Sequence, residues 1–143
     1  MKTIMITGAD GYIGTALINW LQKEEYHVVG VDTRQVKPEE IDMSGCDVVV
    51  HVAGIAHQKE TKENAHLYYE INRDYAVKTA LNARRSGVKQ FIVLSSMSVY
   101  GKTTGRITKK TVPAPNSHYG RSKYQADLKF RKMQSDTFKV CIL

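Results

Sequence analysis

Tyr119 and Lys123, four residues apart, could form a proton-transfer site in this 143-residue chain. Residues at this spacing lie on one face of an α-helix. A lysine ammonium beside a phenol favours the phenolate and lowers the pKa of tyrosine from about 10 toward the range of a general base. A nearby serine hydroxyl, such as that of Ser96, could bridge the base to an alcohol or ketone. An isolated pair of this kind also fits a solvated helix face, so its meaning depends on the rest of the chain.

A glycine-rich turn near the N-terminus predicts a dinucleotide site. Its spacing is Gly-x2-Gly-x2-Gly over residues 8–14, not Gly-x-Gly-x2-Gly. Between a first strand and a first helix, such glycines permit a tight turn, let the backbone approach a pyrophosphate and let the helix pack closely on the strand. A purely structural turn is the alternative interpretation. The residues expected to bind the cofactor here are Gly8, Asp10, Gly11, Tyr12, Ile13 and Gly14.

The cofactor preference depends on Asp32, which ends the second predicted strand eighteen residues after Gly14. A carboxylate there can accept hydrogen bonds from the adenosine ribose, which favours NAD over NADP. A turn-forming aspartate is the alternative. Arg34 is near enough in the sequence to bind a phosphate, which keeps NADP open.

The composition indicates one soluble globular domain. Hydrophobic residues make up 42% of the chain and charged residues 24%. The net charge of +7 comes from scattered basic residues with no nucleic-acid motif, so no nucleic-acid partner is expected. No apolar run reaches the roughly 18 residues that cross a membrane, and we expect a cytoplasmic protein without a membrane partner.

Short apolar runs alternate with longer mixed segments, the pattern of an α/β fold with a doubly wound parallel sheet. The connection between residues 32 and 47 is predicted to be nearly free of helix, and residues 101–117 to form a loop over a site. The predicted strands are Lys2–Thr7, His27–Val31, Asp47–Val52, Gln90–Leu94 and Phe138–Leu143. The predicted helices are Thr15–Gln22, Lys62–Ser86 and Tyr119–Gln134.

The histidines and cysteines have no metal-ligand spacing, and no metal is expected. His51 is predicted to pack in the core, whereas His57 and His66 are predicted to face solvent. The small residues Val52, Ala53 and Gly54 after the strand would let a cofactor lie across its carboxyl end. Cys46 and Cys141 are interpreted as thiols that are buried or partly buried.

Together these motifs resemble the extended short-chain dehydrogenase/reductases, especially nucleotide-sugar epimerases, dehydratases and reductases. Five segments carry the resemblance, which covers the whole chain: the glycine turn, His51–Gly54, Asn72, Leu94–Gly101 and Tyr119–Lys123. The amino-acid sequences of residues 91–101 and 136–140 most resemble those of bacterial UDP-sugar 4-epimerases and 4-keto-sugar reductases of surface-polysaccharide synthesis.

The resemblance implies a role for each site residue. Tyr119 is the expected catalytic acid/base, Lys123 assists it and binds the nicotinamide ribose, and Ser96 polarises the reacting oxygen. Asn72 is expected to help place the cofactor. The pair Asp42 and Met43 is expected to border adenine.

The fold that follows is a Rossmann-like NAD(P)-binding domain over residues 1–143, ending early at the strand counted as the sixth. From the resemblance, we expect the family's C-terminal substrate-binding part to be absent from these residues. The expected activity is NAD-dependent epimerisation of a UDP-sugar, with a 4-keto-sugar reductase or dehydratase as the alternative. We hypothesise a truncated N-terminal fragment that binds NAD and has little or no turnover.

Two functions without catalysis also stay open at this point. One is a domain that binds dinucleotide only. The other is a dimerising module, because the helices near 62–86 and 119–134 correspond to those that pair in homodimers of the family.

Overall fold

Five apolar segments form one parallel sheet in the computed structural model, which describes residues 1–56 and 58–143. Branched and apolar side chains dominate these segments, as expected for strands buried between helices. The strands are β1 (Lys2–Thr7), β2 (Tyr26–Val31), β3 (Val48–His51), β4 (Gln90–Val93) and β5 (Lys139–Ile142). Their order across the sheet is β2-β1-β3-β4-β5.

Helices connect the strands. They are α1 (Tyr12–Leu21), α2 (Ala65–Tyr68), α3 (Ala76–Arg85) and α4 (His118–Met133). A π-helix, Tyr69–Tyr75, joins α2 to α3 without a break, and two 3-10 helices occupy Pro38–Glu40 and Met97–Tyr100. Within the described residues, no helix combines the length and apolar character needed to cross a membrane.

The two faces of the sheet carry separate hydrophobic clusters because neighbouring strand residues point to opposite sides. On one face, Met5, Val49 and Phe91 pack in a cluster with residues of α3 and α4. On the other face, Ile6 and Val50 pack with residues of α1. Helices on both faces make the sheet doubly wound, as the sequence predicts.

The chain reverses its direction of travel across the sheet at β1. From β1 it moves outward to β2, then crosses back to β3 on the other side of β1. In open parallel sheets this reversal leaves a crevice at the carboxyl ends of the strands, where ligands bind. The glycine turn after β1 and the segment after β3 therefore meet at this edge.

Several elements differ from the sequence predictions in their limits. Helix α1 begins at Tyr12 rather than at residue 15, so Gly14 lies within its first turn. The long helix predicted over residues 62–86 contains the π-helix. The connection between β2 and β3 holds one short 3-10 helix and no strand, so β5 is the fifth strand of the described chain. The prediction for His57 lies outside the described residues.

Candidate functional site

The glycine turn is pressed against the segment that follows β3. The amides of Gly8 and Ala9 both donate to the carbonyl of Val31, which anchors the turn to β2. Gly8 has a φ of +87°, and a Cβ there would lie 2.6 Å from the backbone nitrogen of Ala53. A Cβ on Gly14 would overlap the carbonyl oxygen of Gly8. Both positions therefore require glycine. The N-terminus of α1, with its free amides, lies next to backbone that no side chain covers.

A cleft of about 410 Å³ joins this turn to Tyr119 and Lys123. Its walls come from the turn, the end of β3, the π-helix, the end of β4 and α4, so most motifs of the sequence meet in one place. The lining residues are Gly8, Gly11, Tyr12, Ile13, Gly14, Val52, Ala53, Gly54, Ile55, Ala56, Asn72, Leu94, Ser95, Tyr119 and Lys123.

Asp32 and Asp10 are joined by Arg34 at the carboxyl end of β2. The Arg34 guanidinium contacts Asp32 in two hydrogen bonds of 3.1 Å each and Asp10 at 2.9 Å. The Arg34 bonds hold the pKa of Asp32 below its usual value, and the carboxylates raise that of Arg34. None of the three is among the residues that line the cleft. Carboxylate and guanidinium thus stand together where a ribose or its phosphate is expected.

Asp42 and Met43 lie apart from the cleft. The Met43 side chain is 1% exposed and belongs to the hydrophobic core. The Asp42 carboxylate accepts a hydrogen bond from the Ser44 amide, which holds the pKa of Asp42 low. Their position beside adenine stays a prediction.

The π-helix presents Asn72 to the cleft. Asn72 is buried, and its side-chain amide bonds to both backbone polar groups of Ile55. A Cβ on Gly54 would lie 2.9 Å from Asn72 Oδ1, so Gly54 allows this approach. Asn72 therefore holds the cleft wall in place.

Tyr119 and Lys123 lie one turn apart on α4 and both line the cleft, as their spacing predicts. Burial lowers the pKa of Lys123, and the carboxylate of Asp127 one turn further opposes this effect. Ser122 is fully buried between them and donates to the carbonyl of Tyr119 at 2.8 Å. The pair is thus arranged for a base and its cation on a well-packed helix.

Of Ser95 and Ser96, which follow β4, Ser95 lines both the cleft and an adjacent cavity, whereas Ser96 lines the adjacent cavity alone. Ser95 lines the cleft and donates to Asp127 Oδ2 at 2.5 Å. The pKa of Asp127 is raised because burial outweighs the Ser95 hydrogen bond and the charge of Lys123, which act in the opposite direction. Ser96 lines the adjacent cavity, and its Oγ accepts from the Ser98 amide at 3.1 Å. The structure therefore brings Ser95, not Ser96, into the same cleft as Tyr119.

His51 lies in the core at the end of β3, as predicted. Its Nδ1 lies 2.7 Å from Thr7 Oγ1, and its ring stacks near Tyr75 and Phe91. Burial, and then the charge of Lys123, lowers the pKa of His51 to about 3. The imidazole is neutral at ordinary pH. His66 is exposed.

Sequence reasoning missed some residues of the site. Asp127 follows Lys123 by four residues, a helical spacing that could have revealed it. Ser122 follows Tyr119 by three. Glu60, which contacts the first turn of α4, belongs to no motif and carries no signal in the sequence.

Known proteins are similar to this chain in sequence and in fold. The chain is 31% identical over 158 residues to a UDP-glucose 4-epimerase of Vibrio cholerae, which covers 95% of this chain and 48% of that protein. The structure of the UDP-Glc/GlcNAc 4-epimerase from Campylobacter jejuni matches with a TM-score of 0.87 at 23% identity, over 99% of this chain and 52% of that one. The UDP-glucuronic acid 4-epimerase from Bacillus cereus in complex with NAD matches with a TM-score of 0.84 at 23% identity, over 98% and 54%.

The structural matches establish a shared Rossmann-like fold, and the chain spans about half the length of the proteins it matches. The sequence profile of one family, the NAD dependent epimerase/dehydratase family, matches residues 4–143. This match includes the glycine turn, Asn72 and the Tyr119–Lys123 pair. The chain therefore belongs to the NAD dependent epimerase/dehydratase family.

Proposed function

We propose that this chain forms the NAD-binding and proton-transfer part of a UDP-sugar 4-epimerase. The observation that carries the proposal is the single cleft in which the glycine turn meets Tyr119 and Lys123. One wall of the cleft suits a dinucleotide, and the other carries a base. Their convergence favours redox chemistry at an alcohol over simple nucleotide binding.

The residues present suit NAD. The bare backbone at Gly8 and Gly14 and the amide end of α1 would hold the pyrophosphate. Asp32 would accept from the adenosine ribose, and Lys123 would donate to the nicotinamide ribose. When bound, NAD supplies the hydride acceptor for oxidation of the sugar alcohol.

Tyr119 acts as the acid/base. Its phenolate accepts the proton from the hydroxyl at carbon 4 of the sugar, and the phenol returns it to the oxygen when the ketone is reduced from the other side. The Lys123 ammonium stabilises the phenolate through its charge. The buried Ser122, which donates to the backbone carbonyl of Tyr119, supports the packing of the helix turn that carries both residues.

Ser96 polarises the reacting oxygen in this proposal. Its Oγ uses a lone pair to accept from the Ser98 amide, which leaves its own O–H proton to be donated to a substrate. Because Ser96 faces the cavity next to the cleft, the sugar would reach across the boundary formed by Ser95.

The UDP-sugar is suggested by the names of the relatives, which include a UDP-glucose 4-epimerase. A 4-keto-sugar reductase or dehydratase would need the same cofactor and base, and the cleft does not separate these reactions. A domain that binds NAD without turnover is the remaining alternative, because the chain spans about half of its relatives.

Calorimetric titration of the purified chain with NAD and NADP, followed by NMR detection of UDP-galactose formed from UDP-glucose, tests the proposal. Tyr119→Phe should abolish turnover and keep NAD binding, whereas Tyr26→Phe, at the far end of β2, should leave both unchanged. Turnover that survives Tyr119→Phe would refute the assigned base. NAD binding without turnover in the parent chain would instead support the binding domain.

A further inference from the structure

The first turn of α4 is held by a carboxylate from a distant segment. Glu60 Oε2 accepts from the amide of His118 at 2.9 Å, and Glu60 Oε1 accepts from the amide of Tyr119 at 2.8 Å. The first amides of a helix have no partner within the helix. Ser117 serves as the ordinary N-cap by accepting from Gly120 at 2.9 Å. Glu60 thus accepts hydrogen bonds from two helix amides that the N-cap Ser117 does not bond, and one of them is the amide of Tyr119.

The segment that carries Glu60 continues from the cleft wall. Gly54–Ala56 line the cleft, and Gln58–Glu60 follow a short distance later in the chain. The hydroxyl of Tyr68 donates to the carbonyl of Gln58 at 3.1 Å, and the Tyr68 ring meets the Tyr119 ring edge-on, with centroids 6.3 Å apart. The wall, the buried Tyr68 and the start of α4 therefore form one connected unit around Tyr119.

Two basic side chains of α4, His118 and Arg121, lie near enough to influence the Glu60 carboxylate. Burial alone would raise the pKa of Glu60, but the amides of Tyr119 and His118 and the charges of His118 and Arg121 on α4 outweigh burial and lower it. Tyr69, on the π-helix that packs against α4, contacts His118, with its hydroxyl 2.9 Å from His118 Nδ1. Glu60 therefore remains ionised at neutral pH.

We propose that Glu60 is a positioning residue for Tyr119: its carboxylate fixes the start of α4 against the cleft wall and so sets where the phenol points. The proposal rests on the proposed function, in which Tyr119 is the base. A helix cap alone would stabilise α4 but would not fix the position of α4 relative to the cleft wall. Glu60 instead couples the two walls of the cleft, and a small shift of a base relative to its substrate lowers the rate strongly.

Replacement by glutamine tests this role. In Glu60→Gln the side chain keeps one acceptor oxygen, and its NH₂ group faces the second helix amide, so one of the two bonds is lost. Glu63→Gln is the matched control, because Glu63 is exposed in the same segment and carries the same charge. Glu60→Asp keeps the carboxylate on a shorter stem and should restore part of the effect.

The readout is NMR of the chain labelled with ¹³C in its tyrosine rings, with the Tyr119 signal identified by its loss in Tyr119→Phe. In the parent and in Glu63→Gln, this signal should move as the pH falls below 4.5, the ordinary pKa of a glutamate, because Glu60, whose pKa is lowered, takes up its proton there. In Glu60→Gln the acid-dependent movement should disappear, and the Tyr119 amide should exchange about tenfold faster. An unchanged Tyr119 signal and exchange rate in Glu60→Gln would overturn the proposal.

A second measurement separates this proposal from the proposed function. If the chain epimerises UDP-glucose, Glu60→Gln should lower kcat about tenfold while the Kd for NADH changes less than about twofold. Equal kcat values in Glu60→Gln and the parent would contradict positioning by Glu60. If the parent binds NAD and shows no turnover, the result supports the binding-domain alternative, and the NMR comparison alone decides the role of Glu60.

Discussion

Asn72 and Ile55 are joined by two hydrogen bonds that fix the wall of the cleft. Asn72 Oδ1 accepts from the Ile55 amide at 2.9 Å, and Asn72 Nδ2 donates to the Ile55 carbonyl at 3.0 Å. The same Nδ2 lies 3.4 Å from Ser122 Oγ on α4. One buried amide therefore links the segment after β3 to the helix that carries Tyr119 and Lys123.

Asn72→Ala should weaken cofactor binding as well as stability. Removing the amide leaves the polar groups of Ile55 without their partner, at a cost of about 1–3 kcal/mol in the free energy of unfolding. Asn82→Ala is the matched control, because Asn82 is also a buried helix asparagine, bonded to the carbonyls of Pro38 and Ile41 away from the cleft. Urea unfolding should show similar losses in both variants. NADH fluorescence should show binding about tenfold weaker in Asn72→Ala alone, and equal NADH affinities would contradict this role.

Gly8→Ala should abolish cofactor binding, whereas Gly87→Ala should not. Both glycines have left-handed backbone, with φ of +87° and +82°, so alanine costs about 1–2 kcal/mol at each. Only at Gly8 would the new Cβ meet backbone, 2.6 Å from the nitrogen of Ala53, while the space at Gly87 is open. Thermal unfolding should therefore show a lower Tm in both, with the larger loss in Gly8→Ala. Calorimetry with NAD should show binding lost in that variant only, and NAD binding retained by Gly8→Ala would mean that the turn adapts.

The sequence predicted the strands well because their signal is local. An apolar run bounded by polar turns indicates a buried strand, and β1 was predicted with the limits that the structure has. The signal of helix α4 is also local, and its observed limits differ from the predicted ones by one residue at each end.

The parts that escaped prediction depend on contacts between distant segments. No hydrophobic periodicity in the sequence distinguishes the π-helix from an α-helix. The π-helix contains Asn72, which bonds to Ile55, seventeen positions earlier. The Glu60 carboxylate meets α4 across 58 residues of sequence. Two adjacent serines look equivalent in the sequence, yet Asp127 draws Ser95 into the cleft and a 3-10 turn holds Ser96 beside it.

Asp32→Asn should shift cofactor preference toward NADP. The Arg34 bonds lower the pKa of Asp32, so its carboxylate is ionised at pH 7 and would repel a phosphate on the ribose. In Asp32→Asn that charge is gone, and Arg34 is freer to bind the phosphate. The ratio of the Kd values for NADP and NAD, measured by calorimetry, should fall roughly fivefold, a modest change because the site is exposed to solvent. Glu25→Gln, in the turn before β2, should leave the ratio unchanged, and an unchanged ratio in Asp32→Asn would place the ribose elsewhere.

His51 should make the protein less stable in mild acid. Burial lowers its pKa from 6.5 to about 3, and its Nε2 has no hydrogen-bond partner among the described residues. Between these two values the unfolded chain binds a proton that the folded protein does not, so stability falls as the pH falls. The slope is about 1.4 kcal/mol per pH unit between about pH 6 and 4.

Replacing His51 should remove that slope. His51→Asn places an amide atom near the position of Nδ1, next to Thr7, and has no proton to gain. Its free energy of unfolding should be lower than that of the parent at pH 7, because the smaller side chain leaves a cavity, but it should depend less on pH. His27→Asn removes an exposed imidazole and should keep the parent's slope. Urea unfolding of the three proteins from pH 7 to 4 makes the comparison, and parallel curves for His51→Asn and the parent would show that another group controls the acid sensitivity.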